Sequence, residues 1–175
     1  MTMTNEGTLV PELDPLREKS ANERFGQWFA QKRPVTWFIL KVASKVDPIL
    51  MRLTGGRVNM TGTNAVVVLH HIGAKTGQAR QTPLLYFTEG QNVILVAGNG
   101  GLPSHPAWLH NVRANPNVEL WVGKRGGPYR ARVANAEERA TLWPKARGLY
   151  SGYERYQELA GDREIKLVIC APRGS

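Results

Sequence analysis

Between Ile72 and Gln81 the chain reads Gly73-Ala74-Lys75-Thr76-Gly77-Gln78-Ala79-Arg80, two glycines and a hydroxyl interleaved with cations. Glycine reaches backbone conformations that let successive N–H groups converge, and Lys75, Thr76 and Arg80 add charge and a hydroxyl. The composition therefore suits a nest for an anion such as phosphate. A solvated basic turn is the plainer reading of the same residues. The spacing matches neither a Walker loop nor a GxGxxG dinucleotide turn, which argues against nucleoside triphosphates and NAD.

A second segment, Gly98-Asn99-Gly100-Gly101-Leu102-Pro103-Ser104-His105-Pro106-Ala107-Trp108, leaves one apolar run and enters another. Its glycines let a flat ligand approach the backbone, and Pro106 is preset for the first turn of a helix whose unpaired N–H groups suit an anionic or carbonyl ligand. Trp108 could pack on a ring system; a tight crossover with a core tryptophan explains the segment equally well. The third feature is Tyr150, Tyr153 and Tyr156, spaced by three along one broad helical face. Such a stripe serves amphipathic packing, or it lines a pocket with phenols that donate protons to an acceptor.

Other reactive residues lack a setting. His70 and His71 are neighbours on an expected strand and point to opposite faces, so no metal site is expected. There is no Gly-x-Ser-x-Gly elbow, and the single cysteine, Cys170, sits in the apolar run Leu167-Val168-Ile169-Cys170 as a small core residue. Hydrolysis is poorly supported.

The elements that position these residues follow from periodicity. Apolar and aromatic residues at helical spacing predict helices over about 22–32 and 35–53, divided near Pro34. Their lysines beside aromatics suit either packing on the core or a helix lying on an anionic bilayer. After Thr54-Gly55-Gly56 the texture becomes short β-branched runs, predicting strands at 65–72, 81–88, 92–97, 118–122, 129–133 and 165–170. The turns at Glu89-Gly90-Gln91 and Lys124-Arg125-Gly126-Gly127 are short enough for hairpins, so the sheet should be antiparallel and curl into a barrel. Helices are expected at 106–114, 136–147 and 150–159, which makes the class α+β.

The chain has 175 residues, enough for one domain, with ordinary hydrophobic (42%) and charged (21%) fractions. A formal charge of +9 favours anionic partners. The cations are dispersed and no nucleic-acid motif appears, so a nucleic-acid-binding role is the weaker use of that charge. The absence of a secretory pattern at the start and the lone cysteine fit a reducing cytoplasm, peripheral on the inner face of the plasma membrane if the N-terminal helices do meet lipid.

Taken in order, Gly73-Ala74-Lys75-Thr76-Gly77 with Arg80, Thr82-Pro83-Leu84, Gly100-Gly101, His105-Pro106-Ala107-Trp108 with Asn111, and Ala114-Asn115-Pro116 resemble the deazaflavin-dependent nitroreductase family, in its F420H2-dependent quinone reductase branch. The resemblance runs from about Phe25 to Pro172. It implies a split β-barrel over 21–173 behind a flexible segment 1–20, in a monomer or homodimer, with reduced coenzyme F420 as hydride donor. By position, Lys75, Thr76 and Arg80 would hold the cofactor's phosphate and oligoglutamate tail, and Thr82 and Pro83 would border it. Ala97, Gly98, Asn99, Gly100, Gly101, Ala107 and Trp108 would contact its ring, and Tyr150, Tyr153 and Tyr156 would face the acceptor, with Tyr153 the first candidate proton donor. Quinone is the leading acceptor, with enones, coumarin-like lactones and nitroaromatics behind it. Two departures matter: Ala74 stands where many relatives have arginine, and Gly98 where a serine assists nitroimidazole reduction. An FMN-dependent reductase on the same barrel is the alternative enzyme.

Overall fold

In a computed structural model, residues 10–16 and 66–174 are described; the expected helices over 22–32 and 35–53 lie outside them. Six strands, β1 (Val66–Ile72), β2 (Ala79–Glu89), β3 (Asn92–Val96), β4 (Asn117–Val122), β5 (Arg125–Val133) and β6 (Leu167–Pro172), close into a barrel in the order β1-β2-β3-β6-β5-β4. Every pairing is antiparallel, and β1 against β4 (Leu69 opposite Leu120) completes the ring. Three helices accompany it: α1 (Ala107–Ala114), α2 (Ala136–Leu149) and α3 (Gly152–Leu159).

The apolar patterns explain which strands are covered on both faces. In β3, Val93 and Leu95 join one core cluster while Ile94 and Val96 join another, and β6 divides in the same way between Val168 with Cys170 and Leu167 with Ile169. Strands buried on both faces need continuous apolar runs, which these have. In β5 the buried Tyr129 and Ala131 alternate with the exposed Arg130 and Arg132, as expected of a strand with one wet face. The first cluster gathers Val67, Leu69, Tyr86 and Leu120 and receives Trp108, Leu109 and Val112 from α1. The second lies under α2 and α3 and takes in Leu142, Ala146, Leu149 and Tyr153.

Several boundaries differ from expectation, among them those of β2, β5 and α2. β2 starts at Ala79, bringing Arg80 out of the loop and opposite His71 in the ladder. β5 starts at Arg125, so Gly126 and Gly127 belong to the strand and not the turn. A Cβ on Gly126 would sit 2.0 Å from the Leu120 carbonyl, so only glycine lets the strands approach there. α2 continues through Pro144 to Leu149. It opens with a capping box in which Asn135 accepts the Glu138 N–H while Glu138 reaches back to the Asn135 N–H.

Residues 10–16 are tied to the barrel by hydrogen bonds. The Leu13 N–H donates to Thr88 Oγ1 and the Leu13 carbonyl accepts the Thr88 N–H. The Tyr129 hydroxyl accepts from the buried Val10, and the Tyr86 hydroxyl donates to the Pro11 carbonyl. These aromatic strand residues each present a polar tip that needs a partner, and the N-terminal backbone supplies it.

Candidate active site

The turn between β1 and β2 is held by Gly73 N–H to the Gln78 carbonyl and Gly77 N–H to the Gly73 carbonyl, both at 2.8 Å. Gly77 is left-handed (φ +67°). At Gly73 a Cβ would lie 2.6 Å from Thr76 Oγ1 and 3.0 Å from Arg80 Nε, so the glycine lets both side chains fold over the backbone.

This turn faces α1 across an open groove of about 760 Å³. The groove brings together Lys75, Thr76, Arg80, Thr82, Ala107 and Trp108, all expected at a cofactor site, and adds His71, Gln81, His110 and Asn111. Pro83 sits one step along β2, opposite Val68. It lies in the half of β2 that has left β3, whose pairing covers only Tyr86 to Glu89, and a residue without an N–H is tolerated there.

His71 was missed as a site residue because a histidine in a strand carries no spacing signal. It is 4% exposed and bridges two elements. Its Nε2 lies 3.0 Å from Thr82 Oγ1 and its Nδ1 lies 3.2 Å from Asn111 Nδ2, while Asn111 Oδ1 accepts the Ala74 N–H at 2.9 Å. Because the amide oxygen of Asn111 is committed to Ala74, its nitrogen must donate to His71. Nδ1 is thus the acceptor, the proton is on Nε2, and Thr82 accepts it. Burial, helped by the positive charge of Arg80, lowers the His71 pKa and keeps the ring neutral. The chain Thr82–His71–Asn111–Ala74 fastens the basic turn to α1.

The other expected ring-contact residues form a second constellation. After β3 the backbone makes a tight 3-10 turn at Asn99–Gly101: Gly98 is right-handed (φ −69°, ψ −39°), and Asn99 (φ 51°) and Gly100 (φ 62°) are left-handed. Gly101 (φ +78°) presses on α3, where a Cβ would lie 2.8 Å from the Leu159 Cβ and 3.0 Å from the Tyr156 carbonyl. A Cβ on Gly98 would come within 3.2 Å of the Tyr156 ring and 3.4 Å of the Tyr153 ring, so this loop lies directly on the tyrosines.

The three tyrosines do assemble, with ring centroids 5.3 Å apart for Tyr150 and Tyr153, 5.9 Å for Tyr150 and Tyr156, and 6.1 Å for Tyr153 and Tyr156. They differ in access. Tyr153 is 5% exposed and packs into the core under α2 and α3, whereas Tyr150 and Tyr156 are half-buried. Burial raises the pKa of Tyr153 and of Tyr156, and the neighbouring tyrosines push the same way, so both remain protonated at neutral pH. Tyr153, expected as the first donor, is the most buried of the three, and Tyr150 and Tyr156 are the more exposed.

Comparison with known proteins converges on one group. Residues 44–172 match the model of the F420H(2)-dependent quinone reductase family, most of the chain. The chain belongs to that family. It is 42% identical over 134 residues to an F420H(2)-dependent quinone reductase of Mycobacterium tuberculosis, covering 74% of this chain and 89% of the relative. Among solved structures it is similar to an F420-H2 dependent reductase (FDR-A), with 37% identity, a TM-score of 0.56, and coverage of 61% of this chain and 93% of that one. A second, described as a domain-swapped dimer, has 33% identity and a TM-score of 0.58 over 78% of this chain and 98% of its own. As a member of the F420H(2)-dependent quinone reductase family the protein is an oxidoreductase, and the family name specifies reduced coenzyme F420 as its cofactor.

Proposed function

We propose that this protein transfers a hydride from reduced coenzyme F420 to a quinone. The cofactor's phosphate and oligoglutamate tail would lie at Lys75, Thr76 and Arg80, and its ring toward the Ala97 to Gly101 loop. The observation that carries this reading is the groove itself, in which a basic turn, a neutral histidine and the start of α1 line one cavity. The residues fit such a ligand on two counts. An anionic tail meets Lys75 and Arg80, and a carbonyl-bearing ring meets the buried Gly98, whose N–H has no acceptor among the described residues. A buried N–H without a partner asks for one.

When bound, the reduced cofactor supplies a hydride, two electrons with one proton, and the quinone needs one further proton to become hydroquinone. The chain's part is to bind, orient and protonate. The bond from the Ala74 N–H to Asn111 ties the turn to α1 and would hold the tail cations at a fixed distance from that helix, orienting the ring end. Tyr156, half-buried beside the ring of Tyr150, would donate the proton or order a water that does. Tyr153 would act behind them by holding the pair in position.

Quinone is favoured among conjugated acceptors on the family's name, with enones, lactones and nitroaromatics as further substrates of the same geometry. Gly98 brings no hydroxyl to the ring end, which speaks against nitroimidazole activation. Homodimer formation is consistent with the domain-swapped relative.

The test is titration of reduced F420 into the purified protein, followed by absorbance assays of its oxidation with menadione, an enone and a nitroimidazole. Saturable binding with fastest turnover on menadione is expected. Lys75→Ala and Arg80→Ala should each weaken binding roughly tenfold, from loss of a charge-assisted contact, with the fold retained. Affinity unchanged in both variants, or FMN bound instead, would overturn the assignment.

A further inference from the structure

Arg163 follows α3 and stands outside both constellations in sequence, yet its side chain reaches back to the loop after β3. Nε donates to the Leu102 carbonyl at 2.8 Å, one terminal nitrogen to the Gly98 carbonyl at 2.9 Å, and the other to the Ala97 carbonyl at 3.3 Å. That second nitrogen also lies 3.5 Å from His105 Nδ1. A guanidinium can only donate, so one fork collects the outward carbonyls of the whole turn.

The consequence follows from the planar trans peptide. In each unit the N–H points opposite to the C=O. With the Ala97 and Gly98 carbonyls drawn to Arg163, the N–H groups of Gly98 and Asn99 must face the other way. Gly98 is right-handed and Asn99 left-handed, the alternation that makes successive N–H groups converge on one point. Among the described residues, no acceptor takes the N–H of Gly98, Asn99 or Gly100. The carbonyl side of the turn is therefore filled and its amide side is open. A carbonyl that accepts from a guanidinium also polarises its peptide and makes the attached N–H a stronger donor.

We infer that Arg163 is a positioning residue that holds the turn after β3 as an amide nest for a carbonyl or anionic oxygen of the deazaflavin ring. This rests on the proposed function above. Arg163 does not touch the ligand; it acts through the backbone of Gly98 and Asn99.

Oxidised F420 is titrated into wild type, Arg163→Ala, Arg163→Lys and Lys75→Ala, reading affinity and the visible absorption band of the bound chromophore, with thermal melting of each protein alone. A ring oxygen held by N–H donors gives bound cofactor a band displaced from that of free cofactor. Arg163→Ala should bind about tenfold more weakly and return the band toward its free position at saturation. Arg163→Lys, whose ammonium cannot span three carbonyls, should fall between. Lys75→Ala should weaken binding while keeping the displaced band, because it acts at the other end of the ligand. Loss of melting temperature with band and affinity intact would show a merely structural arginine and overturn the inference. If Arg163→Ala does not fold, Arg163→Lys decides, and wild-type band and affinity in it overturn the inference. Absence of any F420 binding by wild type overturns the cofactor reading and this inference with it, and is distinguished by the wild-type titration alone.

Discussion

Asn111 Nδ2 stands 3.2 Å from His71 Nδ1, and this contact exists only while His71 is neutral. Protonation would put a hydrogen on the nitrogen that now accepts, so the two donors would face each other. The folded pKa of His71 lies below its ordinary value of 6.5. Between those two values the unfolded chain binds more protons than the folded one, so stability falls as pH drops through that window. It is constant above about 6.5 and again below the folded value. Cofactor affinity should weaken as pH falls through the folded value, where His71 itself becomes charged and the turn loses its tie to α1. An NMR titration of the His71 ring beside cofactor binding at several pH values checks this, and coincident midpoints are expected. His105, whose pKa burial and the Arg163 charge also lower, is removed as a cause by His105→Asn.

Asn111→Leu tests the same link from the helix. It strands His71 Nδ1 and frees the Ala74 N–H, at a cost of about 1–3 kcal/mol in stability. Cofactor should bind roughly tenfold more weakly. Denaturant melts and fluorescence titration give the two numbers; a stability loss without an affinity loss would mean that the turn holds its shape unaided.

Gly101→Ala should be among the most damaging small substitutions. Its φ of +78° disfavours any side chain, and the new Cβ would meet Leu159 and Tyr156. Strain and overlap together cost about 2–4 kcal/mol, lowering the melting temperature by several degrees.

Tyr156→Phe should reduce turnover on a quinone by about 100-fold or more with cofactor affinity nearly unchanged, as removal of a proton donor does. Tyr153→Phe should affect turnover less, since that phenol is buried. The opposite order in steady-state rates would return the donor role to Tyr153.

Much of this was legible in the chain because local signals and tertiary demands agreed. Val93 to Val96 and Leu167 to Cys170 are continuous apolar runs, and two covered faces require that. The short turns at Gly90 and Lys124 allowed only antiparallel neighbours. Lys75, Thr76, Arg80 and Trp108 declared themselves by composition around glycine and proline. What stayed hidden depends on contacts distant in sequence. Nothing near His71 announces that it will bridge Thr82 and Asn111, and nothing around Arg163 indicates that Ala97, Gly98 and Leu102 will present their carbonyls to it. The spacing of Tyr150, Tyr153 and Tyr156 gave their common face but not their depth, because burial was decided by α2 folding over them. Gly126 read as a turn residue because pressure from an adjacent strand leaves no mark on its neighbours in the chain.

The lone cysteine gives the barrel a built-in clock. Cys170 is fully buried on β6 between β3 and β5, and burial pushes its thiol up to about 12. Only the thiolate reacts, so neither an oxidant nor an alkylating reagent finds it while the three strands are joined. The speed with which it is labelled therefore records how often the closed wall of the barrel comes apart, and a bound ligand that slows the labelling announces itself at a site it never touches.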